Sequence, residues 1–347
     1  MFLKYREIMK TAIATESAAS VCFDPSWKTH PWAGVFAATL CAFRQDESID
    51  VEGLDQYFGQ LAEVPGMKGL VANGHTGEIM SLRPEEQATV TRALRKAVDR
   101  VNPSVKVVSG VSAEGSLEAI DHALAARKAG ADGILLMPPH HWLRFGRSMQ
   151  TAVGFVADVA AGSNVPIVLH QYPAWTRAGY TLDEMKQIIQ IPQVVCVKMG
   201  TRDMARWLWD YEQLKAVNPN VPIVTCHDEF LLPTLLEASD GALIGFAGFA
   251  PELMIELVHA ALEGNLERAK QAQKQVAPLA RLIYNFGEPG CGAHQRMKVA
   301  RWLMGKFPSP HFRRPVRPLS PTQMAELAAG LRKLGLATPN ASRSSEV

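Results

Sequence analysis

The 347-residue chain has no paired-cysteine framework: Cys22, Cys41, Cys196, Cys226 and Cys291 form an odd, scattered set without a CxxC spacing. That usage excludes a disulfide-built secreted scaffold and fits reduced thiols in a cytoplasmic protein, each serving as a small buried apolar side chain. Charge of either sign is without excess, since 36 Lys and Arg nearly cancel 34 Asp and Glu. With no basic stripe, a nucleic-acid partner is not expected. No stretch approaches the roughly 18 uncharged apolar residues of a membrane span. Residues 1–30 intersperse Lys4, Arg6, Glu7, Lys10 and Glu16 among their apolar residues and so lack the continuous apolar region of a secretory signal. Two chemical signatures are missing as well. No GxGxxG follows the first apolar run, which removes the main support for a dinucleotide site, and no HxH or HExxH spacing marks a metal site. The expected partner is a small molecule, with no cofactor and no resident metal.

What the chain does have is 47% hydrophobic residues, enough for one large core. From Trp32 onward, short apolar runs alternate about eight times with longer amphipathic stretches, the pattern of parallel βα units. The runs are 35–39, 69–72, 105–110, 133–137, 166–170, 194–198, 222–226 and 241–244. In the third unit, Val105, Val107 and Val108 are β-branched, Gly110 ends the run, and Ser116 opens a helix with Leu117, Ile120, Ala123 and Leu124 at helical spacing. Eight such units either close or stay open as a doubly wound sheet; closure removes both edges, and the predicted fold is an α/β (β/α)8 TIM barrel with additional C-terminal helices. Residues 1–30 read as an N-terminal extension, 31–264 as the barrel, 265–336 as a helical appendage and 337–347 as a disordered tail. Helices are predicted at 266–284, 293–303 and 321–334, with 308–321, rich in Pro and Arg, as an extended surface connection.

In a barrel, side chains at the C-terminal strand ends and in the following loops converge on one face. The strand list thereby becomes a site list: Thr39, the loop Gly74-His75-Thr76-Gly77-Glu78, His140 and His141 after Pro138-Pro139, His170, Lys198, His227 and Asp228. Lys198 closes the run Val194-Val195-Cys196-Val197, where a solvated lysine is out of place. Burial would lower its pKa, and a neutral amine can attack a carbonyl carbon. The alternatives are a lysine that reaches the rim or one paired with Glu78 or Asp228. The glycine loop offers backbone N–H groups and a hydroxyl that can hold a carboxylate, or else a turn that satisfies itself; for Glu78, packing beneath the loop is the simpler role. Five of the ten histidines fall at strand ends, which suits proton transfer near neutral pH or a metal cluster. Arg177 could pair with a substrate carboxylate, Tyr172 and Trp175 could wall the pocket, and Leu243 of the eighth run is counted among the substrate-binding residues.

Together these residues resemble the dihydrodipicolinate synthase and N-acetylneuraminate lyase family of Schiff-base barrels, over about residues 35–303. The family's Gly-Thr-Thr-Gly-Glu or Gly-Ser-Thr-Gly-Glu loop is matched by Gly74-His75-Thr76-Gly77-Glu78, and its lysine at the end of the sixth strand by Lys198. Pro138-Pro139 match the pair closing the fourth strand, and Leu169 and Pro173 bracket the end of the fifth. Departures are specific. The family's proton-relay tyrosine aligns with His170, the first loop hydroxyl has become His75, and the tyrosine pair after Pro-Pro, part of which reaches a neighbouring subunit in relatives, is His140-His141. The loop bearing Arg177 is about two residues longer than the family's Pro-Ser-Arg-Thr-Gly.

The resemblance implies a class I lyase or aldolase, active as a homo-oligomer (dimer or tetramer). Lys198 would condense with pyruvate or a longer 2-keto acid held by Thr76 and the loop. His170 is the first choice for moving protons and Tyr172 the second, while His140, His141, Arg177, His227 and Asp228 would select the rest of the substrate. Two rival readings are a metal-dependent barrel lyase or hydrolase using the histidines and Asp228, and a non-catalytic keto-acid sensor.

Overall fold

In the computed structural model, which describes residues 26–173, 176–284 and 292–343, eight parallel strands close in sequence order into a barrel. They are β1 (Gly34–Ala38), β2 (Met67–Ala72), β3 (Lys106–Val111), β4 (Gly133–Leu136), β5 (Ile167–Gln171), β6 (Val194–Met199), β7 (Ile223–Thr225) and β8 (Gly241–Ile244). Each predicted run becomes one of these strands, with ends differing by two residues or fewer. The outer helices of the barrel are α1 (Val51–Ala62), α2 (Pro84–Val101), α3 (Ser116–Lys128), α4 (Met149–Ser163), α5 (Leu182–Ile188), α6 (Met204–Val217), α7 (Leu231–Glu237) and α8 (Pro251–Leu262).

Because strand side chains alternate, one set points outward and the other fills the lumen. Outward residues such as Val35, Leu70, Val107, Leu136, Leu169 and Val197 join the helices in one large apolar cluster. Inward residues Phe36, Val71, Val108, Leu135, Val168, Cys196, Val224 and Leu243 form a separate plug, closed from below by Trp32. Each fully buried aliphatic or aromatic side chain in these clusters contributes roughly 1.5–3 kcal/mol of transfer free energy. Two residues beyond the plug on β5 and β6 stand His170 and Lys198, paired in register across the two strands. The period of two thus fixes that if Val168 and Cys196 plug the lumen, His170 and Lys198 must roof it.

Beyond α8 the appendage consists of α9 (Leu266–Tyr284), α10 (Ala293–Leu303) and α11 (Pro321–Lys333), as expected from periodicity. Ser320 caps α11 in a reciprocal box with Gln323. Residues 306–319 are extended, as their proline content predicts, but they form a bound strap instead of a loose surface connection. Ser309 donates to the Phe43 carbonyl at 2.5 Å, and Arg313 pairs with Glu86 while donating to the carbonyls of Glu47 and Ser81. The end of the chain also differs from the expected disordered tail. Residues Pro339–Arg343 form a 3-10 turn, anchored by Asn340 Nδ2 donating to the Trp302 carbonyl at 2.7 Å. That single buried amide bond is not visible as a pattern in the sequence. Of the N-terminal extension, Trp27 is buried against His259, and residues 1–25 lie outside the described residues.

The turn leaving β2 depends on a glycine in β3. Asn73 sits at φ 55°, with its side-chain amide donating to the Gln87 carbonyl and to the hydroxyls of Thr91 and Ser109. Its own carbonyl oxygen lies over Gly110, where an added Cβ would stand 1.8 Å away. Backbone cannot yield as a flexible side chain can. Gly110→Ala is therefore expected to destabilise the fold by about 3 kcal/mol, read as a lower urea midpoint at unchanged m-value.

Candidate active site

Lys198 reaches the roof of the plug and remains half-buried, so it is open to the lumen. Desolvation lowers its pKa from 10.5, opposed by the nearby Cys226 and Asp228. Burial also raises the Cys226 pKa, so near neutral pH that thiol is uncharged and Asp228 is the opposing charge that operates. Neither acid considered as a partner for Lys198 takes it. Glu78 accepts from Lys298, and Asp228 accepts the Phe246 N–H at 3.0 Å and the Tyr284 hydroxyl at 2.5 Å. Burial raises the Asp228 pKa to about 6, against the hydrogen bonds from Tyr284 and Phe246.

Three side chains from three loops meet opposite Lys198. The Tyr172 hydroxyl lies 2.9 Å from His75 Nε2 and 3.3 Å from His140 Nε2. His170 stands edge-on to Tyr172 with ring centroids 4.8 Å apart, and its buried Nδ1 has no partner among the described residues. Burial and the charge of Lys198 hold both His170 and His75 neutral, His75 being pushed down to about 3. Burial raises the Tyr172 hydroxyl above its ordinary value of 10. A hydroxyl bridging two imidazoles provides a hydrogen-bonded path along which a proton can pass in either direction.

The loop 74–78 turns tightly, with Glu78 N–H donating to the His75 carbonyl at 3.0 Å and Ile79 N–H to that of Gly74 at 3.2 Å. Among the described residues, the N–H groups of Thr76 and Gly77 have no acceptor, and the Thr76 side chain is buried. The loop is flanked by two non-glycine residues in the left-handed region, Asn73 and Glu78. Such conformations persist only where surrounding bonds enforce them; here the Asn73 amide network and the Glu78–Lys298 pair do so.

Several predicted site residues lie elsewhere. His227 points away from the lumen, its Nε2 donating to the Thr201 carbonyl and its ring stacked on Phe230, and burial lowers its pKa to about 4. Lumen alternation explains this, since its neighbours Cys226 and Asp228 occupy the positions near Lys198. Arg177 is exposed and donates to the Arg144 carbonyl at 3.3 Å. The buried arginine of this region is Arg147, which pairs with Glu184 at 2.5 Å and braces the β5 loop through the carbonyls of Arg177 and Gly179. The Thr39 hydroxyl is spent on the Val71 carbonyl at 3.2 Å. His141 is exposed and faces Glu114 at 2.7 Å, while Leu243 lies in the plug, a layer below Lys198. Trp175 lies outside the described residues. Nor do the histidines make a ligand set: among the described residues, no group of three or more His, Cys, Asp or Glu is placed to hold a metal ion.

Two residues of α10 enter the site from the appendage. His294 and Lys298, four positions apart and hence on one helix face, point back at the barrel. His294 is held neutral, near 4, by burial and by the charge of Lys198. Lys298, fully buried, donates to Glu78 and to the His311 carbonyl at 3.0 Å and lies between the rings of Phe43 and Phe312. A polar pair inside a predicted amphipathic helix was the available signal for both.

Comparison with known proteins agrees with this geometry. Residues 31–334 match the dihydrodipicolinate synthetase family. The chain belongs to that family, and with it to the lyases. It is 28% identical over 304 residues to a 4-hydroxy-tetrahydrodipicolinate synthase of Methanococcus vannielii, covering 87% of this chain and 99% of the relative. An uncharacterised DapA-like lyase of Halobacterium salinarum is 30% identical over 307 residues, 87% of this chain and 94% of the relative. Among solved structures, YagE of E. coli K12, described as a prophage protein of the dihydrodipicolinic acid synthase family in complex with pyruvate, superposes with a TM-score of 0.78 at 25% identity, over 88% of this chain and 99% of that one. Dihydrodipicolinate synthase of Aquifex aeolicus superposes at 0.79 and 23%, over 89% and 100%, which shows the shared fold. The first loop hydroxyl and strand-end tyrosine expected of the family are here His75 and His170, and Tyr172 brings a phenol back to the same cluster from two residues on.

The Glu78–Lys298 pair joins the loop to the appendage. Lys298→Met would strand a buried carboxylate and should cost about 3–5 kcal/mol, whereas the double variant Glu78→Gln/Lys298→Met should recover much of it. Urea unfolding of the three proteins measures this directly.

Proposed function

We propose that the protein is a class I lyase acting on pyruvate or a longer 2-keto acid through a Schiff base on Lys198. The observation that carries this reading is the state of Lys198: desolvated, open to the lumen, and left unpaired by both neighbouring acids. The pyruvate complex described for YagE supports the choice of ligand. In the first step the neutral amine adds to the ketone carbon, and the resulting carbinolamine loses water to give a protonated imine. Thr76, with the free N–H groups of Thr76 and Gly77, binds the carboxylate. Electrons from a bond to the adjacent carbon flow into the imine to give an enamine. Depending on whether that bond is C–H or C–C, the outcome is condensation, cleavage or the onset of dehydration. Hydrolysis of the final imine returns the amine.

Proton transfer is assigned to Tyr172 in place of His170, the strand-end residue first favoured. Its hydroxyl bridges His75 and His140, while His170 packs against the phenol and offers no chain of hydrogen bonds. A homo-oligomer in the cytoplasm completes the reading. Cys41, Cys196 and Cys226 are free thiols, and Met80 in the 3-10 turn after β2, Leu117 in the first turn of α3, and Leu143 and Phe145 in the short helical turn after β4 are exposed apolar side chains.

Incubation with pyruvate and sodium borohydride followed by intact-mass analysis tests the proposal. A pyruvate-sized adduct is expected on wild type and absent from Lys198→Ala; no adduct with pyruvate or larger 2-keto acids would overturn it. Tyr172→Phe should keep the adduct but lower turnover by about 10²-fold or more, measured as kcat for keto-acid cleavage or condensation. His170→Asn should cost far less than Tyr172→Phe.

A further inference from the structure

A cavity of about 320 Å³ lies between the glycine loop and the appendage, with His75 as one wall. It is within the range of about 300–1,000 Å³ of ligand pockets. Because His75 also carries the Tyr172 contact, the cavity shares a wall with the Lys198 site. Its walls come from elements distant in sequence: Ile79 and Met80 from the 3-10 turn after the loop, His294 and Gln295 from α10, and Phe312 and Val316 from the strap.

The lining chemistry is selective. Four of these side chains, Ile79, Met80, Phe312 and Val316, are apolar, with Ser81 adding a hydroxyl, and among the described lining residues there is no lysine or arginine. The carboxylate that lines the cavity, Glu78, is already tied to Lys298, so that pair leaves no free cation for an anionic ligand. His294 and His75 are both neutral near pH 7, so neither offers a positive charge to a phosphate or a second carboxylate. The Gln295 amide is turned to the strap, donating to the Arg317 carbonyl at 3.0 Å. Such a surface desolvates an apolar group at little cost and leaves a phosphate or second carboxylate unpaired.

We propose that this cavity is the subsite for the second half of the substrate, and that it takes an uncharged, mainly apolar group, such as an aromatic or branched aliphatic aldehyde and the 2-keto acid formed from it. The proposal rests on the Schiff-base reading of Lys198 and adds the substrate class. Selectivity comes from the appendage and the strap, so the barrel supplies the reaction while α10 and residues 312–316 choose the partner.

The test is pyruvate-dependent condensation with benzaldehyde, isobutyraldehyde, acetaldehyde and glyceraldehyde 3-phosphate, on wild type, Val316→Trp and Met80→Trp, with borohydride trapping of pyruvate run on each. Wild type should show kcat/KM for benzaldehyde at least about tenfold above that for glyceraldehyde 3-phosphate. Filling the cavity with either tryptophan should lower the benzaldehyde value about tenfold and leave acetaldehyde within about twofold, with the pyruvate adduct retained as the check on folding and on Lys198. A preference for the phosphorylated aldehyde, or an equal loss for benzaldehyde and acetaldehyde in variants that still trap pyruvate, would overturn the subsite. Absence of the adduct in wild type would instead overturn the Schiff-base reading on which it rests.

Discussion

A lysine at the end of a buried strand must either find a counter-charge or give up its proton, and the rest of this site is arranged around that constraint. The apolar plug beneath Lys198 removes water from one side. The acids that could neutralise an ammonium group are committed elsewhere, Glu78 to Lys298 and Asp228 to Tyr284 and Phe246. The histidines facing it are held neutral by burial, the same effect that lowers the pKa of the amine. What remains is an unpaired amine beside a phenol that bridges two imidazoles, with the 74–78 loop across the lumen.

Holding that loop in place falls to residues far from it in sequence. Lys298 enters from the appendage to pair with the residue that ends the loop, and the strap passes over the pair with Phe312 stacked on the ammonium group. The backbone strain at Glu78 is thus maintained from the appendage, while that at Asn73 is held within the barrel by Gln87, Thr91 and Ser109. In this sense the C-terminal helices are part of the site. They brace the carboxylate loop through Lys298 and bring His294 to the same face of the barrel mouth.

Much of this was legible in the sequence because it obeys short periods. Eight short apolar runs, each with a helix after it, give the barrel, and a period of two places His170 and Lys198 above Val168 and Cys196. The same rule, applied to the seventh strand, would have turned His227 outward, but the strand is short and its end is hard to locate from composition. What was not legible depends on distance. Tyr172 bridges histidines from the second and fourth loops, Arg147 braces the loop where Arg177 was expected to pair with a substrate carboxylate, and Lys298 reaches a loop 220 residues away. Local pattern carries no signal for such pairings; only the closed barrel brings them together.

The central claim is that the fold itself keeps the Lys198 amine poised to lose its proton, and the direct measurement is its titration by NMR in lysine-labelled protein, with the resonance identified by its absence from Lys198→Met. The account predicts a midpoint clearly below 10.5, because burial disfavours the ammonium form. A further fall is expected in Asp228→Asn, which removes a nearby negative charge that favours protonation. A midpoint at or above 10.5, or one unmoved by Asp228→Asn, would contradict the account.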